Sequence, residues 1–245
     1  MNFSYTNIVP IKGDASFRKF YRKKNINKTS ILVFAKKEKE KNLLIYDAIN
    51  KLLVKNKIRA PKLLSCNYNK NYIEIQDFGK LTIHSVLRNK KKNKLKLFKK
   101  IILLLNKIQK INNYKIKNFN NKNYKLSIYS KKILLNEAKL FLKWYVPKIL
   151  IKKNNLLLNK KLTSELNSLL SKLKLKNNTF VHRDFHVSNL MKLKRQIGIL
   201  DSQDALYGNK AYDLASLIDD VRLKTSLKLK NSIYNYYLYL NEKKI

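Results

Sequence analysis

The sequence predicts an α+β protein of two lobes, a small β-rich N-terminal lobe over residues 1–80 and a larger helical C-terminal lobe over 81–245, packed as one domain. Three observations carry this. Short β-rich runs lie mostly in the first 80 residues, and an apolar helical period takes over from Leu81. That period breaks between Phe180 and Asp204, where short apolar runs alternate with acidic and amide residues.

In the first lobe, Phe17 to Tyr21 and Ile31 to Ala35 read as strands, and Tyr72-Ile73-Glu74-Ile75 alternates toward Gln76-Asp77-Phe78-Gly79. Between them, Asn42 to Val54 places Leu44, Ala48 and Leu52 on one helical face. In the second lobe three stripes read as helix-packing core: Leu97, Ile101, Leu104, Leu105 and Ile108; Leu134, Ala138, Phe141, Leu142 and Tyr145; and Leu162, Leu166, Leu169, Leu170 and Leu173. The Asn and Lys clusters at 112–125 and 152–161 read as connecting loops. Ala211 to Val221 is expected as a short helix with Asp213 near its start, and Leu227 to Leu240 as a last amphipathic helix whose tyrosines serve packing.

At 245 residues the chain can bury a sizeable core. Its formal charge of +40 raises the alternative of a nucleic-acid or membrane-surface binder. Only seven of the 55 cations are Arg, and Asn and Ile are abundant while Gly is 4 and Pro 3, the signature of an adenine- and thymine-rich coding sequence. Selection for phosphate recognition favours the planar fork of Arg. Compositional bias is therefore the better account of the charge, and no specific nucleic-acid partner is expected. One cysteine, Cys66, excludes an internal disulfide and fits a reducing compartment. No signal peptide or membrane span is indicated, which predicts a cytoplasmic protein, expected as a monomer.

The chemistry concentrates in Phe180 to Asp204. His182, Arg183, Asp184 and Asn189 match His-Arg-Asp-x-x-x-x-Asn, the catalytic loop of kinase-type phosphotransferases, at every fixed position. Transfer of a phosphoryl group from ATP needs a carboxylate to orient and deprotonate the attacking hydroxyl, and oxygen ligands to hold magnesium against the triphosphate. Asp184 suits the first task. Asn189 suits the second through its amide oxygen. Leu190 to Leu193 and Ile197 to Leu200 read as a hairpin around Lys194-Arg195-Gln196 that returns Asp201 beside Asn189 as a charged magnesium ligand. Taken singly, each of these residues is more often an ordinary loop acid or a core histidine. Taken together they are not, because folding alone does not require an acid, an amide and another acid at these offsets.

With Ile-Leu-Asp-Ser-Gln-Asp-Ala-Leu-Tyr-Gly (199–208) and Ala-Tyr-Asp-Leu-Ala-Ser-Leu (211–217), this segment resembles the aminoglycoside phosphotransferase and choline kinase family. Gly13-Asp14-Ala15-Ser16-Phe17-Arg18 and Leu140 to Pro147 are similar to that family's bacterial branch acting on the anomeric hydroxyl of N-acetylmuramate and N-acetylglucosamine. The resemblance implies a bilobal protein-kinase-like fold and an ATP- and magnesium-dependent kinase of a small-molecule hydroxyl. It also implies that Asp213 braces the catalytic loop through backbone amides, a role compatible with that of an N-terminal capping acid.

Further site residues are expected from the same resemblance. Gly13 and Ser16 would let backbone N–H groups approach the nucleotide, and Asp77 lies in the stretch that presents backbone to adenine. The run Ile31 to Ala35 carries no internal Lys where kinases place their phosphate clamp, leaving Lys36 and Arg18 as equal candidates. His182 supports the loop, and Asp204 and Trp144 are candidates for the acceptor pocket. The rival reading from another class, a noncatalytic basic module that binds RNA, has no use for Asp184, Asn189 and Asp201 together.

Overall fold

Strand β1 (Ile8–Ile11) pairs with β2 (Lys19–Lys24), β2 with β3 (Thr29–Phe34), β3 with β5 (Tyr72–Gln76), and β5 with β4 (Leu63–Asn67), all antiparallel. The computed structural model describes residues 7–11, 18–26, 28–35, 41–89, 93–113, 115–149, 155–173 and 176–242. Period-2 alternation explains the sheet's inner face: Val33 and Ala35 on one side of the ladder and Ile73 and Ile75 on the other are all buried. They pack on Leu43 and Tyr46 of helix α1 (Lys41–Lys55).

Helix α1 belongs to two cores. Its first half faces the sheet, while Ile49, Leu52 and Leu53 enter a second, larger core. That core is built from α2 (Ile83–Arg88), α3 (Lys94–Gln109), α7 (Ala211–Ile218), α8 (Leu227–Glu242) and the strand segment between them. Phe98, Ile101, Ile102, Leu105 and Ile108 fill it from α3; of the expected stripe, Leu97 and Leu104 are only partly buried, so the inward face is turned toward Phe98 and Ile102. Tyr237 is buried in the same core, with Tyr234 and Tyr236 packed against it, whereas Tyr239 is half exposed.

The sequence expectation fails along α4 (Lys131–Trp144), α5 (Val146–Ile149) and α6 (Asn155–Lys172). Of the stripe through α4 only Leu142 is buried; Phe141 and Tyr145 stack on each other with their rings 5.0 Å apart and half exposed. Leu169 and Leu173 are likewise exposed. Helices α4 and α6 pack chiefly on one another, so one stripe is shared between few partners and its outer edge meets solvent. Residues 155–161, expected as loop, are helical, forming the first turns of α6. Residues 115–125, also expected as loop, form the hairpin β6 (Lys115–Lys117) and β7 (Asn123–Lys125).

The break in helical period is a set of four short strands. β8 (Thr179–Val181) pairs with β11 (Leu206–Gly208), and β9 (Leu190–Lys192) with β10 (Ile197–Ile199). The second pair contacts the small lobe directly: Arg59 bridges Gly198, and the Ile199 N–H donates to the Arg59 carbonyl at 2.8 Å. Among the described residues no helix is long and apolar enough to cross a membrane.

Candidate active site

The two strand pairs hold the catalytic-loop residues at one cleft of about 520 Å³ between the lobes. Asp184, Asn189 and Asp201 all line it, facing Ile11, Ile31, Ile75, Phe78 and Leu200 on its apolar side. The Leu200 N–H donates to the Asn189 carbonyl at 2.9 Å, which is how the β9–β10 hairpin returns the chain. Asn189 is pinned from the other side: its amide nitrogen donates to the Asp184 carbonyl at 3.1 Å. The amide oxygen is the end of that side chain left for another partner.

Asp213, buried in α7, receives the backbone N–H of His182 at 2.7 Å and of Arg183 at 3.0 Å. Both oxygens are thus used to fix the loop just before Asp184. Burial pushes the Asp213 carboxyl up to about 7 against the lowering effect of these two bonds. Arg183 and Asp201 both adopt the left-handed region, with φ of 73° and 62°. Such conformations cost a non-glycine residue energy and persist where the surroundings impose them. Arg183 is held further by its side chain, which pairs with Glu137 of α4 and donates to the Asp204 carbonyl at 3.3 Å.

Among the described residues no group hydrogen-bonds the Asp184 carboxylate. Burial, then the neighbouring Asp204, holds its pKa above the ordinary value, while Arg183 and Arg222 oppose the rise. Burial also raises Asp201; Arg18 opposes this, and the charges of Asp184 and Asp204 add to it. His182 is fully buried, and burial lowers its pKa to about 4 although the nearby Leu200 backbone pulls the other way.

Arg18 is 7% exposed and lies beside Asp201, with Nη2 donating to Oδ1 at 3.0 Å and Nη1 to Asn42 Oδ1 at 3.3 Å. Its guanidinium also sits near the Phe20 and Tyr46 rings. On α1 the stripe Asn42, Tyr46, Asn50 faces this point, and Asn50 accepts the buried Ser202 hydroxyl at 2.8 Å. Asp77 does not offer its carboxylate to the cleft. Arg22 takes it in a two-pronged pair at 2.7 and 3.2 Å, and Gly79 N–H donates to it at 2.8 Å. The side chain this stretch turns to the cleft is the Phe78 ring, and Arg22 also takes the Gly79 carbonyl at 2.9 Å.

Asp204 is exposed and accepts from Gln203 Nε2 at 2.6 Å. Trp144 is 62% exposed near the end of α4 and does not line the cleft. Gly13, Ser16 and Lys36 lie outside the described residues. Sequence reasoning missed the Asn42–Tyr46–Asn50 stripe, the Arg22–Asp77 clasp, Glu137 and Arg222. A signal for the arginines existed: of seven in a chain with 48 lysines, Arg18, Arg22 and Arg222 stand at this cleft or bond its residues.

A model of the phosphotransferase enzyme family matches residues 7–239. The chain is 28% identical over 210 residues to the N-acetylmuramate/N-acetylglucosamine kinase of Neisseria meningitidis serogroup B, covering 84% of this chain and 59% of that protein. It is 27% identical over 217 residues to the enzyme of that name from Pseudomonas aeruginosa, covering 87% and 60%. It thus spans less than two thirds of the length of these relatives. In fold it is similar to the ADP-bound aminoglycoside phosphotransferase APH(2'')-Ib, with a TM-score of 0.66 and 14% identity over 98% of this chain and 80% of that one. It is also similar to the amicoumacin kinase hAmiN in complex with AMP-PNP, Ca2+ and Ami, with a TM-score of 0.64 and 14% identity over 99% and 74%. These neighbours share the protein-kinase-like architecture, with an antiparallel sheet leading a helical lobe. A family match over nearly the whole chain, on a fold that brings Asp184, Asn189 and Asp201 to one cleft, places this protein in the phosphotransferase enzyme family.

Proposed function

We propose that the chain is an ATP-dependent kinase of a small-molecule hydroxyl, with residues 1–80 serving mainly the nucleotide and 81–245 the acceptor and the chemistry. The observation that carries this reading is the Asp184 carboxylate, without a hydrogen-bond partner among the described residues and held in the cleft by a loop that Asp213 fixes through two backbone amides. In the proposed reaction Asp184 accepts the proton of the acceptor hydroxyl as its oxygen attacks the γ-phosphorus. The bond to the bridging oxygen breaks, and ADP departs with that oxygen. Ile31, Ile75, Phe78 and Leu200 offer an apolar slot for adenine beside the backbone of Gln76 to Gly79.

Magnesium fits the residues present. Asp201 is a partly buried carboxylate whose neighbours Asp184 and Asp204 disfavour its charge, an arrangement a divalent cation relieves. When bound, the ion neutralises charge on the triphosphate. Asp201 and Asn189 are the proposed ligands, one carboxylate and one amide, with phosphate oxygens completing the set.

The acceptor proposed is N-acetylmuramate or N-acetylglucosamine at the anomeric hydroxyl, supported by the names of the relatives matched over most of this chain. That hydroxyl is more acidic than other sugar hydroxyls, so a positioned carboxylate suffices as base. The reading takes the protein to be a cytoplasmic monomer and the excess of Lys to be compositional. A separate groove of about 500 Å³ is lined by seven Lys and Arg side chains and no carboxylate, but nothing in it offers catalysis. Phosphorus NMR of the product of ATP with each sugar tests the proposal. A 1-phosphate is expected. A phosphate on the 6-hydroxyl, or turnover with choline or an aminoglycoside and none with these sugars, overturns it.

A further inference from the structure

Arg222 lines the cleft together with Asp184, His186 and Ser188, on the turn that follows α7. The turn is built to hold it there. Asp220, whose side chain is 2% exposed, accepts the Arg222 backbone N–H at 3.0 Å and its Nη1 at 3.2 Å. From the other side His84 Nε2 lies 3.2 Å from the Arg222 carbonyl, tying the turn to α2. One arm of the guanidinium is thus anchored on a buried acid while the side chain itself stays 47% exposed. Its remaining N–H groups have no partner among the described residues. In a chain where Lys outnumbers Arg by 48 to 7, an Arg at this place keeps a planar fork where a point charge was the default. The fork suits an oxyanion bound by parallel hydrogen bonds, a carboxylate as well as a phosphate.

We infer that Arg222 reads a carboxylate on the acceptor, making the favoured substrate an acidic amino sugar such as N-acetylmuramate over its neutral counterpart N-acetylglucosamine. This rests on the proposed function above. Asp184 and Arg222 bound one side of the same cleft, so an acceptor whose hydroxyl meets Asp184 brings its other substituents within reach of the fork. The charge of Arg222 already acts on Asp184, which fits that proximity. Asp220 acts through Arg222 and is a positioning residue.

The test compares wild type with Arg222→Gln and Arg222→Lys, each checked for an unchanged melting temperature. kcat/KM is measured for both sugars, and calorimetry is run with 1-deoxy-N-acetylmuramate and its methyl ester, in which the carboxylate is masked. In wild type the acid should bind at least about tenfold tighter than the ester. Arg222→Gln should erase that preference and lower the ratio of kcat/KM for N-acetylmuramate over N-acetylglucosamine by a similar factor, with Arg222→Lys in between and KM for ATP unaltered. Equal losses for the two sugars, a preference for the acid that survives Arg222→Gln, or a rise in KM for ATP alone overturns the assignment. If wild type turns over neither sugar, the functional reading itself fails and this assignment falls with it.

Discussion

Arg18 and Asp201, 183 residues apart in sequence, meet in an ion pair of 3.0 Å at the junction of the two lobes. The arginine is almost wholly buried and the aspartate about a third exposed. We propose that Arg18 stands in for the absent third-strand Lys: it enters just before β2, is steadied by Asn42 of α1, and reaches the carboxylate proposed to hold magnesium. Removing Arg18 takes away the strongest described counter-charge to Asp201, which then faces Asp184 and Asp204. Arg18→Ala should therefore destabilise the protein by about 1–3 kcal/mol, between the values for exposed and buried pairs. Urea unfolding with and without magnesium reads this, and part of the loss should return with the ion. If Arg18→Ala costs as much in an Asp201→Asn background, the two side chains are not coupled.

Asp184 and Asp201 should separate by function. The Asp184 carboxylate makes no hydrogen bond to described residues and is held above its ordinary pKa by burial, so it costs stability and serves the reaction. Asp184→Asn should lower turnover by about 10²–10⁴-fold while leaving nucleotide affinity nearly intact and melting temperature equal or higher. Asp201→Asn should weaken magnesium-ATP binding as well. Calorimetry on both variants decides: equal loss of ATP affinity in the two would remove the division of labour.

Within the five-stranded sheet, the two strands overlooked in the sequence, β1 and β4, are its edges, where pattern is weakest. Pro10 sits within β1, a residue an edge tolerates and a central strand does not, and Ser65 and Cys66 stand exposed in the middle of β4, which breaks the alternation. The hairpin β9–β10 was legible because its apolar runs flank a polar turn, and it forms within a residue of the expected limits. By contrast β6–β7 hides in Lys and Asn, with only Ile116 and Tyr124 to mark an inner face. At the site, the loop acids were legible from spacing. The amides of α1 were not, since Asn is common throughout this chain and only the fold shows which ones turn toward Asp201.

His182 carries a pH signature. Its unfolded pKa is near 6.5 and its folded value about 4, so the unfolded chain takes up the proton first as pH falls. Its neutral form supports the fold fully above pH 6.5, and that support is lost progressively toward pH 4, on the order of 3 kcal/mol in all. Asp213, raised to about 7, works in the opposite direction over the same window, because the folded state retains its proton longer. The contribution of His182 is therefore isolated by difference. Melting curves of wild type and His182→Gln between pH 4 and 8 should show the advantage of wild type shrinking as pH falls. A gap that does not change with pH rules out His182 as the titrating group.

Gly198 fixes the distance between the catalytic hairpin and the strand end that borders the cleft. A Cβ built on it lies 2.7 Å from both Cδ2 and Cε2 of Phe78 and 3.3 Å from Cδ1 of Leu193, so an alanine there forces the Phe78 ring to move. Overpacking of this kind costs about 1–3 kcal/mol. Phe78 lines the apolar side of the cleft, so the displacement falls where adenine is proposed to sit and leaves Asp184 untouched. Gly198→Ala should accordingly lower stability and raise KM for ATP more than KM for the acceptor. Adding Phe78→Leu should restore stability by making room for the new methyl while KM for ATP stays high, since the ring that would cover the base is gone. Should the double variant remain as unstable as Gly198→Ala alone, the crowding lies with Leu193 or the Arg59 bridge, and Phe78 is not what requires glycine at this position.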